Sequence, residues 1–273
     1  MNNIVSWFSQ HKWINAGILI GYFLAVVLPH KRFGTFLNKV VFKGITRAEY
    51  NQIVLSFAVV TLLLFCTILI RNIYKHTSRN RLLAYLIVNV IFAALVMRFL
   101  FVINIEVIHY PQYALFAMIC FPLINNYHQT LIWTTIAGAI DEAYQYFYLA
   151  PKDTFYYDMN DVVTNLLGAV FGLLFLWSFK IPNMNQVPFW KSTGFYGIAI
   201  ILIFILLLTL LGILSIHPSD ETPYQLLRKW PEGFWTNANH GVIYHIIQPI
   251  EGTLITLGPV SYTHLTLPTI YSV

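Results

Sequence analysis

Asp141, Glu142, Asp153, Asp158 and Asp161 place five of the chain's eleven carboxylates within twenty-one residues, with Gln145 and Asn165 interleaved. The stretch joins two apolar segments, and carboxylates at the ends of apolar segments are costly enough to mark a functional site by default. A carboxylic acid held neutral in an apolar setting can act as a general acid. Glu142 is the candidate for that role, with Asp161 as base or metal ligand and His109 as proton shuttle. The same carboxylates could instead hold a divalent cation that bridges to a phosphate. No cofactor is fixed by the sequence.

Spacing groups these side chains. On a helix, residues three or four apart share a face. Asp141 and Glu142 both share a face with Gln145 at the end of one apolar segment. Asp158, Asp161 and Asn165 follow the same rule at the start of the next, as do His109 and Tyr113 at the start of an earlier one. Gly168 and Gly172 form a small-xxx-small pair that lets a neighbouring helix approach closely. Simpler roles exist for several of these residues. Asp158 or Asp161 would serve as a helix N-cap, and His109 as a structural interface histidine. Asp141 and Glu142 lie near a helix C-terminus, where the dipole disfavours anions, so they need a cation, a shared proton or a metal. Lys152 and His109 are the nearest cationic candidates.

The elements that must position these groups are membrane helices. Hydrophobic residues make up 58% of the chain, charged residues 10%, and the mean hydropathy is +0.64. A soluble domain carries about a quarter charged residues. Seven apolar segments are visible, at about 13–29, 52–70, 82–101, 108–124, 129–147, 162–179 and 196–214. They predict an all-α, polytopic transmembrane bundle of about seven helices, each crossing needing ~17–25 residues. The first segment lacks a small-residue cleavage site and reads as a retained helix rather than a leader.

The net charge of +5 is not a nucleic-acid footprint, because the cations cluster in loops at 31–47 and 71–81. Such clusters suit anionic headgroups, so the expected partner is the lipid bilayer. The positive-inside tendency is violated in either orientation; the N terminus is placed in the cytoplasm and the acidic loop outside. Cys66 and Cys120 each fall inside an apolar segment and suggest no disulfide or metal pair. Tyr144, Tyr146, Phe147, Tyr148, Phe155, Tyr156 and Tyr157 crowd the acidic loop, as an interfacial aromatic belt or as a saccharide or headgroup platform. A polar tail follows His217 on the same side as that loop; His240 and His245, five apart, suit no standard helical metal pair.

The motif residues resemble the VanZ-like family of bacterial membrane proteins. Its His-x3-Tyr matches His109 and Tyr113, its Asp-Glu-x2-Gln matches Asp141, Glu142 and Gln145, and its Asp-x2-Asp-x3-Asn-x2-Gly matches Asp158, Asp161, Asn165 and Gly168. The resemblance covers roughly residues 82–180. It divides the chain into an N-terminal two-helix extension (1–81), a VanZ-like core (82–180), a seventh helix with an aromatic-rich tail (181–260), and a terminal stretch (261–273) that reads as non-native read-through. Two positions depart from the family pattern. Glu106 stands where many members have lysine, and the loop offers Lys152 in place of an arginine fork.

The resemblance implies a role in the bacterial cell envelope, in the cytoplasmic membrane, and takes its name from low-level teicoplanin resistance. Two classes of function follow. In the first, an enzyme or lipid-modifying factor acts on a lipid-linked envelope precursor through His109, Asp141, Glu142 and Asp161, with Tyr113, Gln145, Lys152, Asp158 and Asn165 binding substrate. In the second, the polar cluster is a structural clamp in a non-catalytic protein that binds lipid, a glycopeptide or a partner. A transporter fits less well, because these groups sit at one interface rather than at the bilayer midplane.

Overall fold

The computed structural model describes the whole chain apart from residues 42, 103, 150, 152, 153, 182–186, 238–240 and 267–273. Lys152, Asp153 and His240, and most of the terminal stretch, therefore lie outside the described residues. The chain is all-helical up to its tail. In order come α1 (Asn2–Gln10), α2 (Lys12–Val27), α3 (His30–Phe36), α4 (Arg47–Ile73), α5 (Arg79–Phe99), α6 (His109–Ile124), α7 (Tyr127–Tyr144), α8 (Met159–Ser178), α9 (Thr193–Leu210) and α10 (Pro249–Thr266). Each of the seven apolar segments is helical. Among the described residues, five stretches are long and apolar enough to cross a membrane: Ala48–Ile73, Arg79–Phe99, Ile105–Ile124, Met159–Ser178 and Thr193–Leu210. α2 is apolar but shorter, and α7 carries Gln129, Asp141 and Glu142 among several threonines.

The helix ends follow from local chemistry. Thr46 and Glu49 form a reciprocal capping box that starts α4. Ser192 Oγ accepts from Phe195 N and starts α9. Asn125 ends α6 with a left-handed φ of 54°, a conformation asparagine tolerates, and Asn126 Oδ1 accepts from Gln129 N to start α7. The α6–α7 turn is therefore two residues long. The sequence spacing predicted four, because the capping by Asn126 lets α7 begin at Tyr127.

α8 is the hub. All its residues except Leu167 and Val170 are buried, including the polar Asn160, Asp161, Thr164 and Asn165 of its first two turns. α6, α7, α5 and α10 pack around it. Gly168 and Gly172 make the tightest contact: a Cβ added at either would lie 2.2 Å from a backbone oxygen of α6, that of Tyr110 or Ala114 respectively. By contrast α4 and α9 expose apolar side chains such as Phe57, Leu63, Leu64, Ile200, Phe204 and Leu210. Such surface suits hydrocarbon rather than water.

The tail is not helical until α10. Its described residues hold four two-residue strands: β1 (Leu214–Ser215) parallel to β2 (Tyr224–Gln225), and β3 (Thr236–Asn237) antiparallel to β4 (Ile243–Tyr244). After β2 the chain runs against the acidic loop. Tyr157 N donates to Leu226 O at 2.8 Å and Arg228 N to Phe155 O at 2.7 Å. Tail and loop thus lie at the same end of the bundle, as the sequence reading placed them. α10 extends to Thr266, into the stretch read as non-native, and its Gly252 sits against the Met159 side chain.

Candidate functional site

Three helix ends deliver the site. α6 begins at His109, α7 closes through Asp141 and Glu142 into a π-helical turn from Gln145 to Leu149, and α8 opens after Asp158. Because α6 and α8 meet backbone to backbone at Gly168, His109 is brought against the first turn of α8. His109 Nε2 lies 3.4 Å from Asp161 Oδ2. Its Nδ1 lies 3.2 Å from Asn165 Oδ1 and 3.8 Å from Glu142 Oε1. His109, Asp141, Glu142, Asp161 and Asn165 are all buried.

The remaining predicted residues divide by role. Tyr113, one turn beyond His109, donates its hydroxyl to Asp141 Oδ2 at 2.9 Å. Gln145 Nε2 donates to Asp141 Oδ1 at 3.1 Å and to Glu142 Oε1 at 3.3 Å. The shared helical face of the acidic pair and Gln145 is thus a working hydrogen-bond network. Asp158 is the α8 N-cap, accepting from Asn160 N and Asp161 N. Burial pushes its carboxyl up to about 6, while those two backbone N–H groups pull the other way. Capping therefore accounts for Asp158 and not for Asp161, whose carboxylate turns to His109. Glu106, at the position where the resemblance leads one to expect lysine, accepts from Val102 N at 3.2 Å.

The aromatic loop splits the belt reading. Tyr148 and Phe155 face outward, whereas Tyr146 and Tyr157 are buried, Tyr157 donating to Ala139 O at 2.6 Å. Over Tyr146 lies a group the sequence did not flag. The Arg228 guanidinium, from the tail, is 3.9 Å from the ring centroid and donates to Thr154 O and Tyr146 O. A guanidinium therefore does reach this loop, but from a distant part of the chain. His30 was also missed. It begins α3, and its ring stands 5.9 Å from that of His109; the only signal was its place just after the first apolar segment. His245 serves the tail, with Nε2 2.9 Å from Glu251 Oε1 and Nδ1 2.7 Å from Phe234 O.

His109, Glu142 and Asp161 each offer a donor atom within 4.8 Å of the others. The arrangement can pass a proton between two carboxylates through an imidazole, or hold a cation. Among the described residues, no lysine or arginine pairs with these carboxylates. No family model, curated protein or solved structure matches the chain. What fold and site define is an all-helical protein, with helices fit to cross a membrane and a buried His–carboxylate cluster at one end of its bundle.

Proposed function

We propose that the chain is a VanZ-like, multi-pass protein of the bacterial cytoplasmic membrane that acts on a lipid-linked component of the cell envelope through the His109 cluster. The observation that carries this reading is a single imidazole set between carboxylates of two different helices, away from water. Acid–base work on a polar headgroup needs such a pair, one carboxylate able to give a proton while the other takes one.

Seven crossings, with the N terminus in the cytoplasm and the acidic loop and tail outside, accord with how the helix ends sort. His30, Phe99, His109, Gln145 and the tail meet at one end. Ser9 pairs with Asn125, and Tyr127 with Ile181, at the other.

A lipid substrate needs a place for its chain. An apolar cavity of about 620 Å³ lies between α4, α5, α6 and α8, within the ~300–1,000 Å³ usual for ligand sites. Tyr110 and Thr164 line it, each next in sequence to a site residue, His109 and Asn165. Leu115 lines it from α6 and is partly exposed. Leu115→Trp fills this space and is expected to abolish function at unchanged membrane level and unchanged thermal stability; full activity would remove the cavity from the substrate path.

The direct test is teicoplanin and vancomycin susceptibility of a sensitive Gram-positive host expressing wild type, Glu142→Gln or Asp161→Asn at matched levels. Wild type is expected to protect and both isosteres to fail. Equal protection by all three makes the cluster a structural clamp, the non-catalytic reading that the dense Tyr113–Asp141–Gln145 bonding also supports. No protection by any of them removes the glycopeptide role.

A further inference from the structure

We propose that His109, Glu142 and Asp161 are the protein ligands of a zinc-type divalent metal centre, with Asn165 as the residue that orients the histidine. Asn165 Oδ1 faces Nδ1 at 3.2 Å and can only accept, so Nδ1 carries the ring proton. Nε2 then presents a lone pair. It points at Asp161 Oδ2, another acceptor, across 3.4 Å. That separation is long for a charge-assisted hydrogen bond, which runs about 2.7–2.9 Å. It is the distance between two ligands that share one ion. With bonds of ~2.0–2.2 Å, tetrahedral ligands stand about 3.4 Å apart, whereas adjacent ligands of octahedral magnesium, at ~2.0–2.1 Å, stand about 3.0 Å apart. Glu142 supplies the third donor: one atom of each residue lies within 4.8 Å of the other two, and Glu142 Oε1, now 3.8 Å from Nδ1, would turn toward the Nε2 side to bind the shared ion.

The surroundings are those of a ligand set. A metal-bound histidine typically gives its second ring N–H to an oxygen acceptor, which fixes its tautomer. Asn165 is that acceptor, and it is wholly buried. Its side chain also bonds Glu142, so one amide touches both the histidine and a carboxylate of the set. Room for this amide is built in: a Cβ at Gly138 would come within 2.9 Å of Nδ2. Gln145 steadies Glu142 from the other side. Charge points the same way. Buried carboxylates need compensation, and no lysine or arginine among the described residues provides it. Three protein ligands from three helices would leave a fourth position for water or for a substrate oxygen, as in catalytic rather than structural zinc sites.

This inference deepens the proposed function but can be tested apart from it. The full chain, purified in detergent and freed of metal with a chelator, is given Zn²⁺ or Co²⁺. Bound metal is counted by mass spectrometry, the Co²⁺ spectrum is recorded and thermal unfolding is followed. The expected result is one ion per chain, an intense tetrahedral Co²⁺ spectrum and a higher unfolding temperature with metal. His109→Gln and Asp161→Asn should each lose the ion, and Asn165→Ala should weaken binding about 10–100-fold. Glu251→Gln, which alters the tail carboxylate beside His245, should bind as wild type. Wild type that takes up no metal overturns the proposal without recourse to any variant. So does metal that His109→Gln and Asp161→Asn retain, or an octahedral Co²⁺ spectrum. Stoichiometric metal in a protein that gives no glycopeptide protection keeps the metal centre and overturns only the envelope role.

Discussion

Replacing Gly168 with valine is expected to drive α6 off α8 and dismantle the site. The Cα of Gly168 faces the Tyr110 carbonyl so closely that an ideal Cβ would sit 2.2 Å from its oxygen and 3.0 Å from its carbon. Nothing there is a flexible side chain that could swing aside; the obstruction is helix backbone. Overpacking a tight core costs ~1–3 kcal/mol and occasionally more, and a branched side chain against a carbonyl belongs at the upper end of that range. The position also matters for geometry. Tyr110 follows His109, and Gly168 lies two helical turns from Asp161, so any shift of α6 away from α8 widens the 3.4 Å gap between Nε2 and Oδ2. Gly168→Val should therefore show a much lower unfolding temperature in detergent and no function. Gly172→Val, against the Ala114 carbonyl, should behave alike. Gly17→Ala in α2, where nothing lies within 4 Å of the added Cβ, should be neutral or gain ~0.5–1 kcal/mol from the lower helix cost of alanine. An unaltered melt for Gly168→Val would mean that α6 and α8 do not meet at this glycine.

That contact shows what the sequence makes legible. Two glycines four apart on an apolar helix signal a close neighbour, and three polar faces at helical spacing signal a meeting point. Both signals are periodic, and periodicity survives in a linear string. The convergence of His109, Glu142 and Asp161 could be read because their spacing names the face and the alternation of helices names the end. Which of Asp158 and Asp161 caps the helix and which faces His109 could not, because both lie at the start of α8 and only the rotamers separate them. The tail was opaque for a different reason. Its grip on the acidic loop runs through backbone groups, Tyr157 N to Leu226 O and Arg228 N to Phe155 O, which any residue type can supply. Arg228 and His30 were hidden by sequence distance, since each reaches the site's surroundings from outside the segment that carries the motifs.

The tail's attachment converges on one side chain, and Asn160→Ala should release it. Asn160 Nδ2 donates to Leu100 O and to His245 O, each at 3.0 Å, and its Oδ1 accepts from Ile247 N at 2.9 Å. A single buried amide thus joins the end of α5, the first turn of α8 and the strand-to-helix passage of the tail. Each hydrogen bond is worth ~1 kcal/mol net, and a buried partner left unpaired costs ~1–3 kcal/mol. Alanine removes all three bonds and strands the Ile247 N–H, so a loss on the order of 3 kcal/mol in tail docking is expected. Asn160→Asp should fall between, keeping the acceptor for Ile247 N while losing both donors and placing a further carboxylate beside Asp161. Trypsin offers a direct readout, because Arg228 and Lys229 lie where the tail crosses the loop. Cleavage there should be slow in wild type and fast in Asn160→Ala, with matching loss of amide protection at Leu226, Arg228 and Ile247. Unchanged cleavage would show that Arg228 on Tyr146 and Gly252 on Met159 hold the tail without Asn160. The consequence reaches the site through the chain itself. Asn160 precedes Asp161, so a tail that pulls on Asn160 also holds the first turn of α8 against His109. If the tail governs that turn, Asn160→Ala should impair function more than its loss of stability alone would account for, and trimming the chain after Leu210 should reproduce the defect.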